Sequence, residues 1–565
     1  MARYTAATGG EGVEPMTMIR PTKTRSEGTP DTRTVDERPE EPARWDRPES
    51  RPLSSEPHGK LRHVLRLAWE RRLVGTGLAA AVAAFGGLIA GWWTPRGPIT
   101  SGEVLATMAV SLLVGAVAGL LLRSRWAMLF APVTFVGVFE LVRMGAQGPT
   151  VDAIHPFSTY GFMAFVVGRG FHGLVALVPM AFGAVLGAAL ARRMQGAAVA
   201  PRGWRKLASY GRRGAAVLLA LGLVVLAAGI ARPATTDPIL GPDGEPLPRS
   251  IAELTRVEIG GHDLAMMIRG HSVEDPVLLF LAGGPGGSEL GAFRRHANGL
   301  EEDFVVVTFD QRGTGKSYDQ LEPTSTLTLD NAVADVLEVT RYLRDRFDED
   351  RIYLVGQSWG TTLGVLAVQQ QPQLFHAFVG TGQMVSQRET DRIFYEDTLA
   401  WAREAGNTGL VGTLTELGPP PYENVLGYES ALSYAQDVYP YDHSQNSEGE
   451  GQMSENLFVE EYSLAEQVHT LGAFMDVFTI LYPQLQEIDF RVDATQLDVP
   501  VYLVQGRYEA RGRSELAEEW FEMLEAPHKE MIVFDTSGHR PLFEQPDRFH
   551  EVMTETVLAE TEPAL

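Results

Sequence analysis

A serine hydroxyl becomes a nucleophile only when a base removes its proton and the backbone presents it to a substrate. The stretch "LVGQSWGTTLG" (Leu354 to Gly364) holds Ser358 inside Gly356-Gln357-Ser358-Trp359-Gly360. Gly-x-Ser-x-Gly has only three fixed positions, so the surrounding pattern has to decide its meaning. Before it, "RIYLVG" is a short apolar, β-rich run, and after it "TTLGVLAVQQQP" reads as a helix stopped by Pro372. Ser358 therefore falls on a strand-turn-helix corner. There, small residues at Gly356 and Gly360 allow a strained, closely packed turn, and the first helical N–H groups face the same point.

The flanking elements extend this pattern. "RVEIGGHDLAMMIRG" has the form of a hairpin, while "VLLFLAGG" and "FVVVTFD" read as buried strands. "NAVADVLEVTRYLRDRF" puts Val333, Val336, Leu337, Leu343 and Phe347 on one helical face. "AFVGTG", "VPVYLVQG" and "EMIVFD" continue the strands, with "SELAEEWFEML" among the helices between. Strand and helix in alternation predict a largely parallel sheet covered on both faces, with active residues beyond the strands' carboxy ends. Between about 387 and 495 the strand pattern gives way to an acidic, aromatic-rich segment, expected to form a helical cap over the site.

Four segments taken together resemble one family. "GGPGGS" (Gly283 to Ser288), "DQRGTGKS" (Asp310 to Ser317), "GQSWGT" and "SGHRPLFEQP" (Ser537 to Pro546) are similar, in order and approximate spacing, to motifs of the α/β-hydrolase family that contains proline iminopeptidases and related aminopeptidases. The resemblance covers about 256 to the carboxy terminus. It implies an α/β-hydrolase fold with a helical cap and a chain order of nucleophile, acid, base. Ser358 is then the nucleophile, and His539, in a Gly-containing loop after a strand, the base. Glu509 in "GRYEAR" is the acid, where the family usually has Asp; Asp535 is the alternative carboxylate. Oxyanion donors are expected from the backbone of Trp359 and from the "AGGPGG" loop, at Gly284 and then Gly283. The family usually has His where this chain has Ala282. An aminopeptidase also holds a protonated amine, for which Glu460 and Glu461 in "FVEEYS" are the candidates. "GTGKS" invites a nucleotide-binding reading, but a phosphate loop requires Gly where this chain has Asp310, so no nucleotide is expected.

The first 231 residues have a different character. Met1 to Ala231 carries 26 Lys and Arg against 15 Asp and Glu, a charge of +11, whereas the remainder carries −35 of the overall −24. An acidic second half argues against nucleic acid as its partner. The absence of cysteine excludes disulfides, thiolate metal sites and a cysteine nucleophile. Residues 1 to 60, rich in Pro, Glu, Arg, Thr and Ser, read as a disordered tail with no cleaved signal peptide.

Five apolar stretches follow within 61 to 231: Leu73–Trp93, Val104–Leu122, Ala127–Val142, roughly His172–Leu190, and Gly214–Ile230. These approach the length of membrane-crossing helices, and four or six spans are the alternative counts. Glu140 in the third stretch and Arg169 just before the fourth are read as interfacial, with snorkelling side chains. Basic residues concentrate in alternate loops, which predicts a multi-pass protein of the cell membrane with a cytoplasmic amino terminus and an extracytoplasmic catalytic half. A Pro/Gly-rich linker is expected over 232 to 255.

The resemblance and the apolar stretches together imply a membrane-anchored serine hydrolase, an aminopeptidase of the proline iminopeptidase type that releases amino-terminal residues from peptides through an acyl-enzyme. Its partners are a peptide or small acyl substrate and the lipid bilayer, and it needs neither metal nor organic cofactor. An esterase of the same fold is the runner-up. A membrane protein that senses a ligand without turnover would not require a triad.

Overall fold

The computed structural model describes residues 66–152, 154–196, 203–439 and 452–561. The expected tail over 1 to 60 lies outside the described residues. Eight strands form one sheet in the order β1-β2-β4-β3-β5-β6-β7-β8. β1 (Ile251–Ile259) and β2 (His262–Gly270) are a hairpin turned by Gly260 and Gly261, both at positive φ, as a two-residue turn with right-handed strand twist requires. β1 begins at Ile251, so the apolar alternation of "IAELTRVEI" takes five residues from the expected linker. β3 (Val277–Leu281), β4 (Val305–Phe309), β5 (Ile352–Gln357), β6 (Phe375–Thr381), β7 (Val501–Gly506) and β8 (Lys529–Phe534) run parallel, and β2 joins β4 antiparallel.

The period-2 alternation of each strand divides the core between the two faces. Leu279 and Leu281 of β3 point into one cluster with Val333, Val336 and Leu343, while Leu278 and Phe280 point into the other with Phe293, Phe543 and Met553. Between β6 and β7 the described residues form a series of helices and no strand, the first beginning at Gln387 and the last ending at Asp493, as expected of the cap segment.

The amino-terminal part contains α1 (Arg72–Trp93), α2 (Ser101–Leu122), α3 (Ala127–Val142), α4 (Thr159–Met194) and α5 (Trp204–Ala231). Four of these are long and apolar enough to cross a membrane; α3, at 16 residues, is shorter. The fourth stretch begins at Thr159, earlier than the expected His172, because two π-helical turns carry the helix through "GFMAFVVGRGF" without a break. Arg169 in that patch is paired with Glu140 at 3.3 Å and donates to the Val151 carbonyl at 2.7 Å. α2 and α4 touch backbone to backbone: a Cβ on Gly115, Gly119, Gly183 or Gly187 would lie 1.8 to 2.0 Å from a carbonyl oxygen of the facing helix. Such small-residue contacts are how apolar helices associate where no hydrophobic effect drives them together.

One buried ion pair joins the two parts. Arg96, in the loop between α1 and α2, donates to Asp476 at 2.9 Å and to Glu322 at 3.0 Å. Asp476 lies on α9 (Leu464–Leu481), a helix of the segment between β6 and β7, and also accepts from the hydroxyls of Thr150 (2.6 Å) and Tyr318 (2.8 Å). The intervening helices are α6 (Leu329–Phe347), α7 (Trp359–Gln370) and α8 (Gln387–Glu404), and α10 (Arg511–Met523) follows β7.

Candidate active site

Ser358 stands where β5 turns into α7, with φ +53° and ψ −118°. A serine gains nothing locally from this strained conformation, so the packing has to impose it. A Cβ on Gly360 would lie 2.0 Å from the Leu281 carbonyl oxygen, and one on Gly356 2.7 Å from the backbone of Gly360. The Gly-x-Ser-x-Gly spacing is thus a steric requirement of the corner. The Ser358 N–H donates to the Thr381 carbonyl at 2.9 Å, fastening the corner to the end of β6.

His539 follows β8 and lines the same cavity as Ser358. Its Nδ1 lies 2.5 Å from Glu509 Oε2. Glu509 Oε1 accepts from the Arg513 guanidinium at 2.8 Å and from the Ala510 N–H at 2.7 Å. Burial would raise this carboxyl, but Arg513 and His539 outweigh it and hold it at about 2. Asp535, the alternative, pairs instead with Arg507 at 2.6 Å on the surface. The ring of His539 rests on Gly382, where a Cβ would stand 2.9 Å from Nδ1. Gln357, directly before the serine, donates to the His539 carbonyl at 2.9 Å.

The glycine loop after β3 lies beside Ser358. The Gly283 N–H donates to Glu289 at 2.8 Å, while those of Gly284 and Trp359 donate to no other group among the described residues. Gln311 braces both sides of this region: its amide donates to the Ala282 carbonyl at 3.3 Å and its oxygen accepts from the Trp359 indole at 2.9 Å. Lys316 of "GTGKS" is occupied, donating to Glu466 and to the Glu461 carbonyl, both at 2.9 Å.

Residues 276–546 match the alpha/beta hydrolase fold family. The carboxy-terminal half has the α/β-hydrolase fold. The chain is 28% identical over 313 residues to "Probable aminopeptidase YbaC" of Bacillus subtilis (strain 168), a match covering 55% of this chain and 97% of that protein. It is 32% identical over 124 residues to "Probable proline iminopeptidase" of Leptolyngbya boryana, covering 22% of this chain and 36% of that one. Among solved structures, a proline iminopeptidase-related protein from Thermus thermophilus aligns at 22% identity over 56% of this chain and 100% of its own, with a TM-score of 0.39.

The hydrolase cavity has a volume of about 540 Å³. Neither Glu460 nor Glu461 lines it. Glu461 is buried against Arg294 (3.4 Å) and Thr236 (3.1 Å), and Glu460 is exposed beside Arg232 (3.5 Å). Both carboxylates serve the join with the segment after α5, so the amine-holding role expected of them has no geometric basis. The cavity carries a different acid, Asp391 on α8. It accepts from Tyr482 at 2.5 Å, Gln387 at 2.9 Å and Gln486 at 3.0 Å, and no cation pairs with it among the described residues. Burial pushes its carboxyl up to about 6 against the lowering effect of those hydrogen bonds. A sequence signal existed: Asp391 shares the buried face of α8 with Phe394, Thr398 and Ala402, three, seven and eleven residues on.

Arg540 also lines the cavity, 3.1 Å from Glu289. A group of possible metal ligands, His528, Glu530 and Glu560, lies outside the cavity at the β7–β8 edge.

Proposed function

We propose that the protein is a membrane-anchored serine hydrolase of the aminopeptidase type, releasing amino-terminal residues from peptides through an acyl-enzyme. One observation carries the reading: the residue at positive φ after β5 is a serine, and it shares a cavity with a histidine whose Nδ1 meets a buried carboxylate. Ser358 Oγ attacks the carbonyl carbon as His539 takes its proton. Glu509, kept ionised by Arg513, orients the ring and stabilises the imidazolium. The N–H groups of Trp359 and Gly284 receive the oxyanion, while Gly283, engaged by Glu289, holds the loop in shape. His539 then gives its proton to the leaving amine, and water releases the acyl group by the reverse sequence.

Asp391 is the partner for the substrate's protonated α-amine, since it is the cavity carboxylate without a cation. The alternating basic loops support a cytoplasmic amino terminus and an extracytoplasmic hydrolase half. Protease added to intact cells is then expected to reach the hydrolase half and spare the amino-terminal tail; the opposite pattern would reverse the orientation.

A small-acyl esterase is the second reading, favoured by the aromatic and apolar walls around the serine. Amino-acid arylamides with free and acetylated amines, assayed on the full chain, separate the two. Acetylation should strongly reduce cleavage. Equal rates, or activity confined to simple esters, would give the site to ester substrates.

A further inference from the structure

The wall of the cavity away from the sheet belongs partly to a helix that could cross a membrane. Tyr160 and Met163, one turn apart on the first turn of α4, line the same cavity as Ser358 and His539. That turn opens an apolar helix of 36 residues. It is fixed from both sides. The Ser158 hydroxyl caps the Gly161 N–H at 3.0 Å, and Glu429, from the segment between β6 and β7, accepts from Ser158 at 2.5 Å and from the Thr159 N–H at 2.7 Å. Behind the turn, Ala164 and Val167 pack on Met475 of α9.

α9 continues the wall with Leu471, Phe474 and Phe478. On the other side of the same turn, Phe162 is exposed, as is Phe157 just before it. Apolar side chains thus line the reaction cavity on one side of the turn and face outward on the other. An aminoacyl group with a polar peptide attached gives no reason to build a wall from a bilayer helix. A substrate with a hydrocarbon chain does, and the cavity is in the size range that buries such ligands.

We infer that the substrate is an amphiphile presented by the lipid bilayer, with its scissile carbonyl at Ser358 and an alkyl or acyl chain against α9 and the first turn of α4. This rests on the serine-hydrolase reading and narrows the peptides of the proposed function to ones that carry a hydrocarbon chain. Each methylene fully buried adds up to about fourfold in affinity, so chain length is the variable to test.

The experiment uses the full chain in phosphatidylcholine vesicles and alkyl fluorophosphonates with ethyl, octyl or dodecyl chains. In the labelling step the Ser358 Oγ–P bond forms and the P–F bond breaks, the hydroxyl proton passes to His539 and fluoride leaves. The labelling rate of Ser358 should rise more than tenfold from ethyl to dodecyl. Met163→Asp should reduce the dodecyl rate at least tenfold more than the ethyl rate, and the milder Met163→Gln should shrink the same ratio severalfold if the aspartate variant does not fold. A flat chain-length series, or variants that slow both probes equally, would overturn the inference. Dodecyl probe preloaded in the protein's own vesicles should label faster than probe preloaded in separate vesicles; equal rates would overturn delivery from the bilayer. No labelling by the ethyl probe would overturn the serine-hydrolase reading itself, whereas ethyl labelling with a flat series removes only the amphiphile.

Discussion

The cavity has two unlike ends. At the sheet end, Ser358, His539 and Glu509 sit on turns directly after β5, β8 and β7, held by close backbone contacts at Gly356, Gly360 and Gly382. At the far end the wall comes from α8, α9 and the first turn of α4, elements from distant parts of the chain. The contacts at the sheet end are sterically determined and local. Those at the far end depend on buried ion pairs and helix packing. Chemistry is therefore expected to be sensitive to single atoms at the first end, and substrate preference to the assembly of the second.

The comparison is broken most severely at the sheet end. Ser358→Ala should lower kcat on the order of 10⁴-fold or more and abolish fluorophosphonate labelling with the melting temperature unchanged. Full labelling of the alanine variant would assign the nucleophile elsewhere. Glu509→Gln should cost roughly 10²- to 10⁴-fold in kcat by loosening the orientation of His539. Glu509 also makes a pH prediction. Its folded value of about 2 lies below the ordinary 4.5, so its stabilisation is present above about 4.5 and lost as the pH falls towards 2. Melting temperatures across that window should fall more steeply for the natural protein than for the glutamine variant.

Disturbing the far end should act first on stability. Arg96→Ala leaves Asp476 buried without its cation and is expected to cost about 3–5 kcal/mol, read from denaturation of the full chain in detergent. A fragment beginning at Thr235 loses the same cation and the α4 turn. It should therefore be less stable and less active than the full chain; equal activity would show that the amino-terminal helices are dispensable to the site.

The smallest expected effect is at Asp391. Asp391→Asn should raise KM for free-amine substrates roughly tenfold, the size of one lost charge-assisted hydrogen bond, and leave acetylated substrates little changed. Because the Asp391 carboxyl titrates at about 6, it is charged above that pH and neutral below it. KM for free-amine substrates should accordingly climb as the pH falls below about 6, and this climb should be absent in the asparagine variant.

The sheet end was legible in the sequence for the reason that makes it sensitive. Gly356, Ser358 and Gly360 are fixed within five residues by one turn, and the strands around them alternate visibly. Five apolar stretches were legible from length alone, of which four are helices long enough to cross a membrane and the third, Ala127–Val142, is shorter. The continuation of α4 back to Thr159 was not, because Arg169 interrupts the apolar run and the two π-helical turns that carry the helix through it leave no periodic signal. Glu460 and Glu461 misled because an acidic pair in a cap segment carries no information about direction; their partners, Arg232, Arg294 and Thr236, are remote in sequence. Asp391 shows the converse, a single acid whose meaning depends on Tyr482 and Gln486, some ninety residues away.

If α4 crosses a bilayer as proposed, its length would couple the reaction to the thickness of the lipid around it. At 1.5 Å per residue, its 36 residues extend about 54 Å, against a hydrocarbon core of about 30 Å. Such a rod meets a bilayer by tilting or by protruding, and the balance between the two shifts with acyl-chain length and sterol content. Its first turn is a wall of the reaction cavity, so a change in tilt is a change in the shape offered to the substrate. Membranes of different thickness should then give the same catalytic serine different substrate preferences, with no ligand and no modification needed to carry the signal.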